Sequence, residues 1–249
     1  MNSICRQAQA HKYLRTRVIV KMQGNKQIDV ANILHITSGE VVAALLQKQY
    51  PQADILPFNE AMCEGETCAE IFTDEFYALR ATAYNVTVSD YLQKSPGNFL
   101  QTKLQSYAAL HLYFDYDMFC VVNIITLLAF LEQAHYTGQI KLYILEADGT
   151  VNILDTWPIV LKIYDKCYRS VLVNRQKFST GNGLFDKGIA LYLDYKKEQN
   201  KITKYIAAHA AVANEQLLSD LLKKFAEYGL TDVAAAKFID AVRNKYANH

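Results

Sequence analysis

The stretch Val30-Ala-Asn-Ile-Leu-His-Ile-Thr-Ser-Gly-Glu-Val-Val-Ala-Ala-Leu-Leu-Gln-Lys48 decides the fold class. Its first seven residues are a β-rich run, Thr37 to Glu40 form a polar turn, and Val41 onward carries apolar residues suited to a helix packed on a sheet. The unit is strand, loop, helix. Asp54-Ile-Leu-Pro-Phe58 predicts a second short strand that Pro57 ends, Asn59 to Thr67 a Glu-rich polar loop, and residues 69–83 a helix. A further helical stretch, 92–107, is interrupted at Ser95-Pro-Gly97. Ala109 to Phe114 then runs into Asp115-Tyr-Asp117 at another strand end, and Ile140 to Leu145 reads as a strand ending at Asp148-Gly149.

Between them, Met118 to Leu131 is a stretch of 14 residues without charge, flanked by Asp117 and Glu132. Its length and flanks predict a buried helix, and it falls short of the ~20 residues needed to span a bilayer. Strands alternating with helices predict an α/β domain with a mostly parallel, Rossmann-like sheet. From Trp157 the pattern turns helical over 158–177, 184–198, 214–228 and 231–246, with breaks at Gly181-Asn-Gly183 and Gly229. The predicted organisation is a basic segment at 1–28, an α/β domain at 29–150 and an all-helical domain at 151–249.

Composition agrees with this reading. Over 249 residues, 51% are hydrophobic and 20% charged, which suffices for one large or two small cores, while only 10 Gly and 4 Pro argue against a many-turned all-β fold. The net charge of +1 supplies no field to draw the chain onto nucleic acid or anionic lipid. Residues 1–28 nevertheless hold six bases and no acid, leaving 20 bases against 25 acids in the rest. Because the body is acidic, nucleic acid ranks last among expected partners and the basic segment is read as a solvated tail. The longest apolar run of that segment, Val18 to Val20, is no secretory signal. Five scattered cysteines, an odd number, predict free thiols in a reducing compartment, hence a cytoplasmic protein away from membranes. Cys63 and Cys68 lack a second ligand pair, so structural zinc is not expected.

In a doubly wound sheet, ligands bind beyond the carboxyl ends of the strands. Thr37, Ser38, Gly39 and Glu40 follow the first strand; Phe58, Glu60 and Glu64 follow the second; Asp115 and Asp117 follow a third. If the strands are parallel neighbours, these residues converge on one rim. Thr37, Ser38 and Gly39 offer hydroxyls and backbone N–H groups to a phosphate, whereas Glu40 repels one unless a cation lies between. Glu40 with Asp115-x-Asp117 is the acid arrangement used in magnesium-dependent phosphoryl transfer and resembles the Toprim core at the level of pattern. The same aspartates can instead cap the following helix.

His35 is placed within the first strand, on the face opposite Leu34 and Ile36, as an acid, a base or a satisfied buried histidine. Cys120 is either a nucleophile or an inert thiol. Phe58, Phe114, Tyr116 and Phe119 form either a stacking wall or core. The expected function is binding of a small nucleotide-like or phosphorylated ligand at the rim, with Mg²⁺ or Mn²⁺ the ion such acids would take and metal-assisted phosphoryl transfer or hydrolysis the reaction. Asp117, Asp115, Glu40 and His35 would then be catalytic. The alternative is a non-catalytic regulatory module whose acidic loop, 59–67, docks a protein partner.

Four segments also resemble a known family. Ile33-Leu-His-Ile-Thr-Ser-Gly-Glu40, Ile55-Leu-Pro-Phe-Asn-Glu60, Cys63-Glu-Gly65 and Leu112-Tyr-Phe-Asp-Tyr-Asp-Met-Phe119 look like the motifs H-I-T-N-G-D, L-P-W-x-D or E, E-G-P and W-F-x-x-D-x-F of the bacterial domain of unknown function 1835 family, in the same order. The resemblance covers residues 30–131 and implies a site at these loops but no activity. Glu40 stands for the usual Asp, Ser38 for Asn, Phe58 for Trp, Glu66 for Pro and Cys120 for Asp. The first change moves a carboxylate by about one methylene, which tight metal geometry tolerates poorly.

Overall fold

The computed structural model describes residues 32–147 and 151–247; the basic segment 1–28 lies outside them. Five strands, β1 (Ile33–Thr37), β2 (Asp54–Pro57), β3 (Ala109–Asp115), β4 (Gln139–Ala147) and β5 (Val151–Ile159), form one sheet in the order β2-β1-β3-β4-β5. The first four are parallel and β5 runs antiparallel to β4. Helix α1 (Glu40–Gln49) follows β1, as its spacing predicts. Helices α2 (Asp74–Tyr84) and α3 (Val88–Leu92) open with the hydroxyls of Thr73 and Thr87 accepting from Phe76 N and Asp90 N, satisfying N–H groups that a helix start leaves unpaired. Helix α4 (Gly97–Lys103) starts just after Pro96.

Helix α5 (Met118–Gln133) is the centre of the molecule. Thirteen of its 16 residues are buried, which explains why its sequence is apolar on every side. One side packs with the sheet face carrying Leu34, Ile36, Leu110, Leu112 and Phe114; another meets α6 (Tyr164–Tyr168) and α7 (Gly183–Tyr195). Gly188 permits the close crossing of α7, since a Cβ there would lie 2.4 Å from Val121 Cγ1. Helices α8 (Lys201–Ala208), α9 (Asn214–Lys224) and α10 (Asp232–Ala247) complete the chain, and Ile206, Leu221 and Ile239 join the same continuous core as Leu34 and Phe114. The sheet and the C-terminal helices therefore bury one another's apolar surface. No helix among the described residues is long and apolar enough to cross a membrane.

The C-terminal region departs from the sequence reading at its start. Residues 151–159 were expected in a helical domain, with helix from 158, but they form the edge strand of the sheet. Pro158 is tolerated there because an edge strand can lack one N–H donor. Trp157 turns toward the helices, with its ring 6.5 Å from that of Phe185. The helical part begins only at Tyr164.

Candidate functional site

Register brings the strand ends together as expected. Thr37 is level with Pro57 and with Tyr113, Ser38 N donates to Tyr113 O at 2.9 Å, and Phe58 N donates to Thr37 O at 2.8 Å. The loops after β1, β2 and β3 thus leave one edge side by side. Several of their side chains are engaged by the protein's own groups.

Thr37 is fully buried and its hydroxyl donates to Gly39 O at 3.0 Å, closing the turn upon itself. Ser38 is also buried. Gly39 O accepts from Ala43 N at 3.1 Å in the first turn of α1. Glu40 is exposed and accepts from Asn59 Nδ2 at 2.8 Å, fastening the first loop to the second. Asp115 is buried and accepts from Tyr116 N at 2.6 Å, while Asp117 caps α5 by accepting from Cys120 N at 2.8 Å. The carboxylate of Asp117 also faces Gly229, where a Cβ would sit 2.5 Å from Oδ2 and where φ is +66°. Phe58 is core, with its ring 6.4 Å from that of Phe114. Cys120 is likewise buried.

Glu60 has the most elaborate surroundings. It is 2% exposed, its Oε2 lies 3.5 Å from Arg80 Nε and accepts from Tyr84 OH at 3.4 Å, and its Oε1 accepts from Tyr91 OH. Burial pushes the Glu60 pKa above the ordinary carboxylate range, opposed by Arg80 and by hydrogen bonds from Tyr91, Arg80 and Tyr84. Arg80, with no exposed surface, donates to Ala61 O at 2.8 Å and Glu64 O at 2.5 Å, and Asn123 of α5 donates to Glu60 O at 2.6 Å while accepting from Met62 N at 3.0 Å. The loop 59–67 is therefore held by side chains from α2 and α5. Glu64 extends the network by accepting from Tyr195 OH at the end of α7, at 2.5 Å.

His35 lies apart from these acids, two residues short of the strand end and in register with Ile55 and His111. Its Nδ1 is 3.1 Å from Tyr113 OH, and its ring meets that of His111 edge-on at 5.3 Å. Burial lowers the His35 pKa, with Asp54 opposing. Burial, His35 and Lys141 together push that of His111 down to about 4. Both imidazoles lie on the strand face that also carries Tyr113, which packs with Val42 and Leu46 of α1.

The acids of the predicted rim meet partners within the protein: Glu40 meets Asn59, Glu60 and Glu64 belong to the network of Arg80 and Tyr195, and Asp117 lies against Gly229. Among the described residues no group of three or more His, Cys, Asp or Glu side chains is placed to hold a metal ion.

Sequence reading missed Arg80, Tyr84, Tyr91, Asn123 and Tyr195. One signal was present: Tyr77, Arg80, Ala81 and Tyr84 share a helical face, and a lone arginine within an apolar stripe marks a buried partner. Comparison of the chain with protein-family models, curated proteins and solved structures finds no match. The likeness to the family of unknown function rests on the quoted motifs alone.

Proposed function

We propose that the protein is a non-catalytic regulatory binding module whose strand-end acids act as fasteners between its parts. The observation that carries this reading is the buried network of Glu60, Arg80, Tyr84 and Tyr91, because a carboxylate enclosed by three partners is withdrawn from any substrate. The other acids support it. Glu64 and Asp117 meet Tyr195 and Gly229 of the C-terminal helical region, so the rim where doubly wound folds admit ligands is here a seam with the protein's own helices. A cytoplasmic location fits the buried free thiols of Cys63, Cys68, Cys120 and Cys167.

The test is Asp117→Asn. On this reading the substitution lowers Tm by at most a few degrees, because Asn still caps α5 and only the negative charge at the helix N-terminus is lost, and leaves the response to nucleotides with or without Mg²⁺ or Mn²⁺ unchanged. Metal-dependent turnover of a phosphorylated compound that disappears in Asp117→Asn at unchanged Tm would overturn it.

A further inference from the structure

The loop 59–67 also borders an open cleft of about 830 Å³ along α7. Asp186, Ile189, Ala190 and Leu193 line it at helical spacing, followed by Lys196, so one face of the helix forms a wall roughly 15 Å long at 1.5 Å per residue. Four cations (Arg175, Lys177, Lys196, Lys197) face it against two carboxylates, Glu66 and Asp186, and Lys197 is also paired with Asp194 at 3.6 Å, so the lining remains cationic by about one charge. This excess sits in a chain body that is otherwise acidic.

The charge concentrates at one end. Lys196 Nζ donates to Gly65 O at 3.1 Å and Arg175 Nη2 approaches the same carbonyl at 3.5 Å. Their shared counter-charge is Glu66, 3.0 Å from Arg175 Nη2, whose side chain is 69% exposed and therefore weakly held. Burial, then the neighbouring Arg175, keeps the Lys196 pKa below its ordinary value, with Glu66 and Glu64 opposing. A phosphate monoester carries about −1.5 to −2 charges at neutral pH and suits the cationic end formed by Arg175 and Lys196. Phe178, Ala190 and Leu193 give the middle of the cleft an apolar surface, and at the far end Ser179 Oγ donates to Asp186 at 2.7 Å.

We propose that this cleft binds a nucleoside monophosphate, with the phosphate at Arg175 and Lys196 and the base over Phe178 and Leu193. The inference rests on the binding-module reading and supplies its ligand. It keeps the phosphorylated ligand expected from sequence and moves it from the strand-end acids to the helical side of the same loop.

The experiment is calorimetric titration of the full chain with adenosine, guanosine, cytidine and uridine monophosphates, inorganic phosphate and octanoate, with and without Mg²⁺. At least one nucleotide binds, more tightly than phosphate or octanoate and more weakly at high salt. Lys196→Gln weakens it at least about tenfold, the size of a lost charge-assisted hydrogen bond. Ala190→Phe, at an exposed position of the wall, abolishes it with Tm unchanged. Absence of nucleotide binding, octanoate binding as tightly, or affinity unchanged in both variants would overturn the site while leaving the non-catalytic reading standing. Conversely, if both variants abolish binding but the nucleotide is consumed with Mg²⁺, the cleft stands and the non-catalytic reading falls.

Discussion

Arg80→Met removes the cation from the buried network at nearly constant volume, and its cost follows from the geometry. Neither Arg80 nor the Glu60 side chain has exposed surface, so the carboxylate left behind has no water to replace the guanidinium. Breaking a buried pair by removing one partner costs about 3–5 kcal/mol. Ala61 O and Glu64 O also lose their Arg80 donors, a loss that overlaps with that figure and places the expected effect at its upper end. Against a typical total of about 5–15 kcal/mol, the variant is marginal at 25 °C. Glu60→Gln retains the tyrosine contacts and leaves Arg80 bonded to carbonyls, so it costs less.

The pH dependence gives an independent check. Without Arg80, the Glu60 pKa rises further above its ordinary value of 4.5, and the folded state holds a proton that the unfolded chain releases. Stability of Arg80→Met is therefore greatest below pH 4.5 and declines as pH rises toward the elevated folded value. Urea unfolding followed by circular dichroism at pH 5 and pH 8 measures both effects. A loss below about 1 kcal/mol at pH 7, or a loss relative to wild type that is independent of pH, would refute the argument.

Two further predictions concern the other junctions. Gly229→Ala combines a left-handed backbone with a clash against Asp117 and is expected to cost at least about 2 kcal/mol. The cost shrinks in an Asp117→Ala background, which itself loses about 1 kcal/mol of helix capping; additive losses in urea unfolding would show that the two residues do not meet. On the opposite sheet face, the His111 pKa of about 4 lies below the unfolded 6.5, so the unfolded state binds a proton that the folded state refuses. Stability therefore falls as pH drops from about 6.5 toward 4, and a Tm–pH profile of His111→Gln is flatter over that window; an unchanged slope would contradict the neutral, buried imidazole.

Much of this molecule was legible locally. The run from Ile33 to Gln49 declares a strand and a helix, the unbroken apolar stretch 118–131 declares burial, and Asp117 sits where a helix cap belongs; each signal needs only the spacing of neighbouring residues. Even the meeting of three strand ends followed from parallel pairing. The edge strand 151–159 was harder, because Trp157 and Pro158 in an edge position lack the features of an interior strand.

The partners that the acids at those strand ends meet are visible only in three dimensions. Glu60 finds Arg80 twenty residues on, Glu64 finds Tyr195 131 residues on, and Asp117 meets a glycine in the last quarter of the chain. A carboxylate at a strand end reads the same in sequence whether it faces a ligand or a buried arginine. The packing of α2, α5 and α7 around these loops determines which, since packing fixes both the partner and the loss of water that makes the partner necessary.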